Sequence, residues 1–183
     1  MNIFYLSRDT KECAELHTDK HVVKMILEYA QLLSTAHRIL DGTVYTDKTA
    51  NNRKILRWKL ENNIRENTLY KATHANHPSA IWVRQSRDNY AWLWKLLNSV
   101  CEEYTYRYGK VHKVQRDGLL EELRFVPSGI AEHPSFTEPT PAMPDKYKVI
   151  NDSITSYKNY YVGDKQHLAS WKKRNVPNWY AFN

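Results

Sequence analysis

The chain has 183 residues, with 27 Lys and Arg against 20 Asp and Glu and a formal charge of +7 when its eight His are counted neutral. That length fits one domain, residues 1–183, with a real core. No run approaches 18 consecutive apolar residues and no basic segment followed by an apolar stretch opens the chain, which argues against membrane spanning and export and for a soluble, cytoplasmic protein. The basic balance together with 6 Trp, 13 Tyr and 4 Phe suits a polyanion with bases to stack upon, namely nucleic acid.

Residues 2–6, NIFYL, read as a short extended apolar segment, and SRDTKECAELH after it offers Ser7, Asp9 and Thr10 as caps for a short helix. A long helix follows from His17 to Leu40, and Asp41-Gly42 ends it, because Gly tolerates a left-handed closing residue. Residues 43–52 form a polar connection. Helical spacing resumes in RKILRWKLENNIRENTLY, with Ile55, Leu56, Trp58, Leu60, Ile64 and Leu69 on its apolar side. THANHP breaks that pattern, Pro78 opens the helix PSAIWVRQS, and RDNYAWLWKLLNSVCEEYTYRYGK supplies a core helix stopped near Gly109. Residues 111–125 add another helix. Five of the seven Pro then fall between Pro127 and Pro144, a long irregular crossing. Helical spacing returns at 146–161, and the tail KQHLASWKKRNVPNWYAFN combines four basic residues and four aromatics with no acid. With only 5 Gly, this succession predicts an all-α fold. Cys13 and Cys101 fit no metal-ligand spacing, whether they are buried thiols or a bridge, and a reducing compartment is the default.

The first long helix carries a polar line. His17, His21, Lys24, Glu28, Gln31, Thr35 and Arg38 follow one another in steps of 4, 3, 4, 3, 4 and 3, so they share one face. Val22, Val23, Met25, Ile26, Leu27, Tyr29, Leu32 and Leu33 fill the others. The line is either a solvated edge or the wall of a cleft in which Lys24, Gln31 and Arg38 meet a ligand around one carboxylate, Glu28. A carboxylate among apolar neighbours serves as an acid or stabilises a cationic transition state. His17 and His21 sit four apart, and with His74 and His77 they would hold zinc if the fold gathered them; the metalloprotease pattern, however, needs Glu where Thr18 stands. We therefore expect no metal and no cofactor. Lys59, Arg65, Arg107 and Lys110 read as ordinary surface charges.

NIFYL, His21 and Glu28 seven residues apart, NHPSAIWVRQ with His77 and Arg84, and KKRNVPNWYAF occur in an order that resembles the phage pyrimidine-dimer DNA glycosylases of the endonuclease V type and their bacterial relatives. The resemblance implies a compact helical bundle that cleaves a base-sugar bond in duplex DNA, in the host cytoplasm if phage-encoded. It makes Glu28 the catalytic carboxylate, with His21 beside it, and the N-terminal amine the nucleophile that forms an imine and gives lyase activity. An α-amine suits this, since its unperturbed pKa of about 7.7–8.0 leaves a neutral fraction near pH 7. Here Asn2 is too large for efficient Met removal, so either the amine is that of Met1 or strand cleavage is absent. Leu27 and Gln31 stand where the family has Arg, which leaves the target base open. Kinking or flipping of the DNA would draw on Lys172, Lys173 and Arg174 for phosphate and on Trp179 and Tyr180 for bases; a tail docked on the core is the other reading of those aromatics. His77 either caps a helix or orients phosphate, and Arg84 would face the same cleft. Two alternatives remain: a DNA-binding or host-factor-blocking protein without catalysis, and a nucleotide- or metal-dependent enzyme built on the His-rich cleft.

Overall fold

Asp9 starts the first helix by accepting the Glu12 N–H at 2.8 Å, and α1 runs over Thr10–Leu16. The computed structural model describes residues 1–180. Among them α2 (Asp19–Asp41), α3 (Asn63–Thr68), α4 (Pro78–Val83), α5 (Arg87–Tyr108), α6 (Lys113–Arg116), α7 (Leu119–Glu122) and α8 (Ser153–Val162) follow. An antiparallel hairpin of β1 (Thr43–Lys48) and β2 (Lys54–Lys59) stands between α2 and α3. The fold is mainly helical, with one two-stranded exception to the all-α expectation.

The core forms where α2 meets α5. Val22, Met25, Ile26, Leu32, Leu33 and Ala36 of α2 are fully buried, as are Leu93, Leu96, Leu97 and Val100 of α5; each large side chain so buried contributes roughly 1.5–3 kcal/mol. The segment NIFYL is extended and buried, but it joins no sheet. Its polar backbone atoms find side-chain partners instead: Phe4 N–H reaches the Tyr29 hydroxyl at 3.3 Å, and the Cys13 thiol donates to Phe4 O at 3.2 Å. Cys13 and Cys101 are both free and buried.

Several elements differ from their expected form. His17 and Thr18 are extended and separate α1 from α2, so the long helix begins at Asp19. Gly42 is not left-handed (φ −93°); a Cβ there would lie 2.4 Å from Arg38 O, so the residue is small because backbone passes close by. The expected connection at 43–52 and the first residues of the helix expected from Arg53 together form the hairpin, turned at Asn52 with φ 58°. In place of one helix over 111–125, Gly118 with φ 80° separates α6 from α7. Helix α8 starts at Ser153 because Asp152 caps it there, accepting Thr155 N–H at 2.8 Å, and only a 3-10 turn forms at Asp145–Tyr147. Among the described residues no helix is long and apolar enough to cross a membrane.

Candidate active site

The first nitrogen of the chain lies 3.9 Å from Glu28 Oε2. Asn2 holds it there: its amide Nδ2 donates to Ala142 O at 2.8 Å, and its Oδ1 accepts the Tyr157 hydroxyl at 2.6 Å and Ile3 N–H at 3.1 Å. Glu28, one turn beyond Lys24 on α2, also pairs with Lys24 Nζ at 3.2 Å. The Glu28 side chain is only 13% exposed, whereas Lys24 stands in solvent. A carboxylate and an amine thus share the edge of the core with one cation at the rim.

His77 opens α4, which packs on α2, and the charges of the Met1 amine and Glu28 both act on it. It caps α4, its Nδ1 accepting Ser79 N–H at 3.2 Å, which leaves Nε2 to carry the ring proton in the neutral form. Burial lowers its pKa first, the Met1 ammonium and His74 lower it further, and Glu28 works the other way. His77 thus takes the capping role, one of the two expected for it.

Thr35 and Arg38, the last two residues of the polar line, hold the neighbouring backbone in place. Thr35 Oγ1 accepts Thr73 N–H at 3.2 Å and donates to Thr73 O at 3.4 Å. Arg38, expected on phosphate, is fully buried and uses all five of its donors within the protein: on Tyr70 O (2.9 Å), Trp58 O (3.0 Å), Glu66 O (2.9 Å), Leu69 O (2.9 Å) and the Glu66 carboxylate. Arg84 donates to Ala75 O at 2.7 Å and Ala80 O at 2.8 Å, so it also braces the segment that carries His74 and His77. Of the seven residues in the line, only Lys24, Glu28 and Gln31 reach the surface. Val23 and Leu27, expected in the apolar interior, are 42% exposed next to them.

His17 and His21 lie inside. His17 Nδ1 is 2.6 Å from Cys13 O, which can only accept, so Nδ1 carries the proton; Nε2 then accepts the Tyr29 hydroxyl at 2.8 Å. His21 stacks on Phe4, with ring centroids 4.1 Å apart, and its Nδ1 meets the Tyr161 hydroxyl at 2.6 Å. Burial pushes His17 down to about 4 and His21 to about 3, so both are neutral, and the catalytic place expected for His21 is taken up by packing. Helical spacing puts His21 on the Glu28 side without showing that the N-terminal segment covers it. The four His do not gather as ligands: His74 Nδ1 engages Thr73 Oγ1 at 2.7 Å, and the described residues contain no cluster of three or more metal-ligating groups.

The tail is docked at the N-terminal end of α2. Lys172 N–H donates to Asp19 at 2.9 Å, Trp171 Nε1 donates to Leu16 O at 3.0 Å, and Tyr180 packs edge-on against Trp171. Arg174, expected on phosphate, is neutralised by Glu103 at 2.8 Å and Glu15 at 3.2 Å and lies over Tyr106. Trp179 packs on Tyr161 with Lys158 over its ring. Lys172 and Lys173 remain exposed. Ala181, Phe182 and Asn183, the end of the tail motif, lie outside the described residues. Arg107, expected as a surface charge, is buried among Glu103, Asp19, His17 O and Glu15 O.

A cleft of about 800 Å³ is lined by β2, by residues 70–75 and by Gln31 of α2, one helical turn from Glu28. Sequence reasoning misses it because Lys54–Trp58 reads as helix; the turn signal is Asn51-Asn52 between two β-prone runs. Compared with protein-family models, with curated proteins and with solved structures, the chain shows no match.

Proposed function

We propose that this protein is a DNA glycosylase that excises a damaged or modified base, with the Met1 amine as nucleophile and Glu28 as the catalytic carboxylate. The observation that carries this reading is the 3.9 Å approach of the Met1 nitrogen to Glu28, at an edge of the core where the exposed Lys24 also pairs with that carboxylate. In its neutral form the amine attacks C1′ of the sugar. The bond from C1′ to the base breaks with its electron pair leaving on the base, which takes up a proton. Loss of the amine proton and opening of the sugar ring, whose O4′ is protonated as it departs, leave an imine between Met1 and C1′. Glu28 offsets positive charge developing on the sugar and relays these protons. The imine makes strand cleavage by elimination accessible, hence lyase activity.

Lys24, Lys172 and Lys173 are the exposed cations nearest in role to the expected phosphate contacts, while Arg38, Arg84 and Arg174 act through the protein. Leu27 and Gln31, on either side of Glu28 along α2, are the side chains from which base preference would be read.

The test is a panel of damaged and modified duplexes incubated with the protein and then treated with borohydride. We expect base release, a trapped covalent adduct that peptide mapping places on Met1, and a loss on the order of 10²–10⁴-fold in rate for Glu28→Gln. Base release undiminished in Glu28→Gln, or an adduct on another amine, rejects the assignment. DNA binding without release of any base leaves the non-catalytic DNA-binding reading.

A further inference from the structure

We propose that the β1–β2 hairpin is an arm that grips B-form duplex DNA on one flank of the reacting nucleotide, with the cleft behind β2 receiving the phosphodiester backbone of that flank. The inference rests on the glycosylase reading only in locating the reacting nucleotide at Glu28.

Charge is the first argument. Between Thr43 and Lys59 stand Lys48, Arg53, Lys54, Arg57 and Lys59 against a single acid, Asp47, which lies 3.9 Å from Arg57. Across the cleft stands Lys71, which shares the Glu66 carboxylate with the buried Arg38, so two cations there face one acid. Such a surface attracts phosphate and repels basic partners.

The second argument is what the hairpin does not do. Every residue of β1 is exposed, and Val44 and Leu56, which face the same side, are 55% and 56% exposed, so the ribbon contributes little to the core. A lone two-stranded hairpin is marginal in water. This one is nevertheless held at its root, where Arg38 donates to Trp58 O and Gly42 lets the backbone pass close to α2. A rigidly rooted, basic, solvent-facing ribbon has dimensions that fit a B-form major groove, which admits a two-stranded ribbon; the deep, narrow major groove of duplex RNA does not.

Continuity with the site is the third. Gln31, which lines the cleft, is one helical turn from Glu28, and His74, also in its lining, acts electrostatically on His77. The tail meets α2 at Asp19 and the hairpin meets it at Arg38, about 28 Å apart at 1.5 Å per residue. That is roughly eight base pairs at 3.4 Å each, with Glu28 between the two ends.

The test uses the full chain and a duplex DNA probe followed by fluorescence anisotropy over a salt series, with thermal melts to verify folding. Lys54→Gln together with Arg57→Gln should weaken binding about tenfold and reduce the slope of log K against log salt by about 2, one for each phosphate that is no longer neutralised. A second measurement exploits the burial of both native thiols. With Leu56→Cys as the accessible thiol, an attached photo-crosslinker should mark duplex DNA on one side of the lesion only. Wild-type affinity and salt slope in the double variant, crosslinks on both sides or none, or tighter binding to duplex RNA than to DNA overturns the proposal. If the wild type releases no base while the double variant still loses affinity, the glycosylase reading fails and the arm stands.

Discussion

Asn2 Oδ1 receives the Tyr157 hydroxyl at 2.6 Å, and this bond, with that from Asn2 Nδ2 to Ala142 O, sets where the first nitrogen of the chain lies relative to Glu28. Tyr157→Phe keeps the ring in the core and removes one anchor. We expect single-turnover base release to fall between about ten- and a hundredfold, the scale of misplacing a reacting group by up to 1 Å, with DNA affinity unchanged. Stopped-flow or quench kinetics at saturating DNA would check this, and an unaltered rate would show that Ala142 and Ile3 suffice. Glu28 is legible in the sequence because it is the one carboxylate on a line that keeps helical step from His17 to Arg38. Asn2 and Tyr157 are not, since 155 positions separate them and neither has a local signature. His21 has the right spacing, but spacing does not say which segment lies over a face.

At the scale of elements, Arg38 joins three pieces of chain: α2, the end of β2, and the segment from Glu66 to Tyr70. Burial opposes the charge on Glu66, yet Lys71, the Leu60 N–H and Arg38 outweigh it and hold its carboxyl at about 2. Arg38→Met would strand several buried carbonyls and a partly buried carboxylate, with an expected cost of about 3–5 kcal/mol. Denaturant melts would measure this, and hydrogen exchange should show faster opening at 54–60 and 66–70 than elsewhere; uniform protection would refute it. The helices α2, α4 and α5 can be read from period and caps, because Asp41-Gly42, Pro78 and Gly109 mark their limits. The hairpin cannot be read from period. Ile55, Leu56 and Trp58 satisfy a helical stripe about as well as a strand over so few residues, and the choice is made by pairing with Thr43–Lys48.

For the whole molecule, the distribution of buried imidazoles governs its response to acid. Burial is the main cause that lowers His17 to about 4, His21 to about 3 and His37 to about 4; for His37, Arg65 reinforces burial while Asp41 opposes it. These rings are neutral when folded and titrate near 6.5 when unfolded, so unfolding takes up protons at any pH between the two values. Stability is therefore full above about 6.5 and declines as pH falls toward 4, by up to about 1.4 kcal/mol per pH unit for each ring. Paired carboxylates such as Glu66 add their own loss only below about 4.5. Chemical denaturation at pH 7, 6 and 5 would reveal the trend, and equal stability at all three would contradict it. The mainly helical class is legible from low Gly content and helical spacing, whereas the way the two ends of the chain reach α2 depends on contacts between residues far apart in sequence. That arrangement has a consequence for synthesis. The partners of Asn2 are the carbonyl of Ala142 and the hydroxyl of Tyr157 on α8, 140 and 155 positions further on, so neither anchor exists until those stretches have been made.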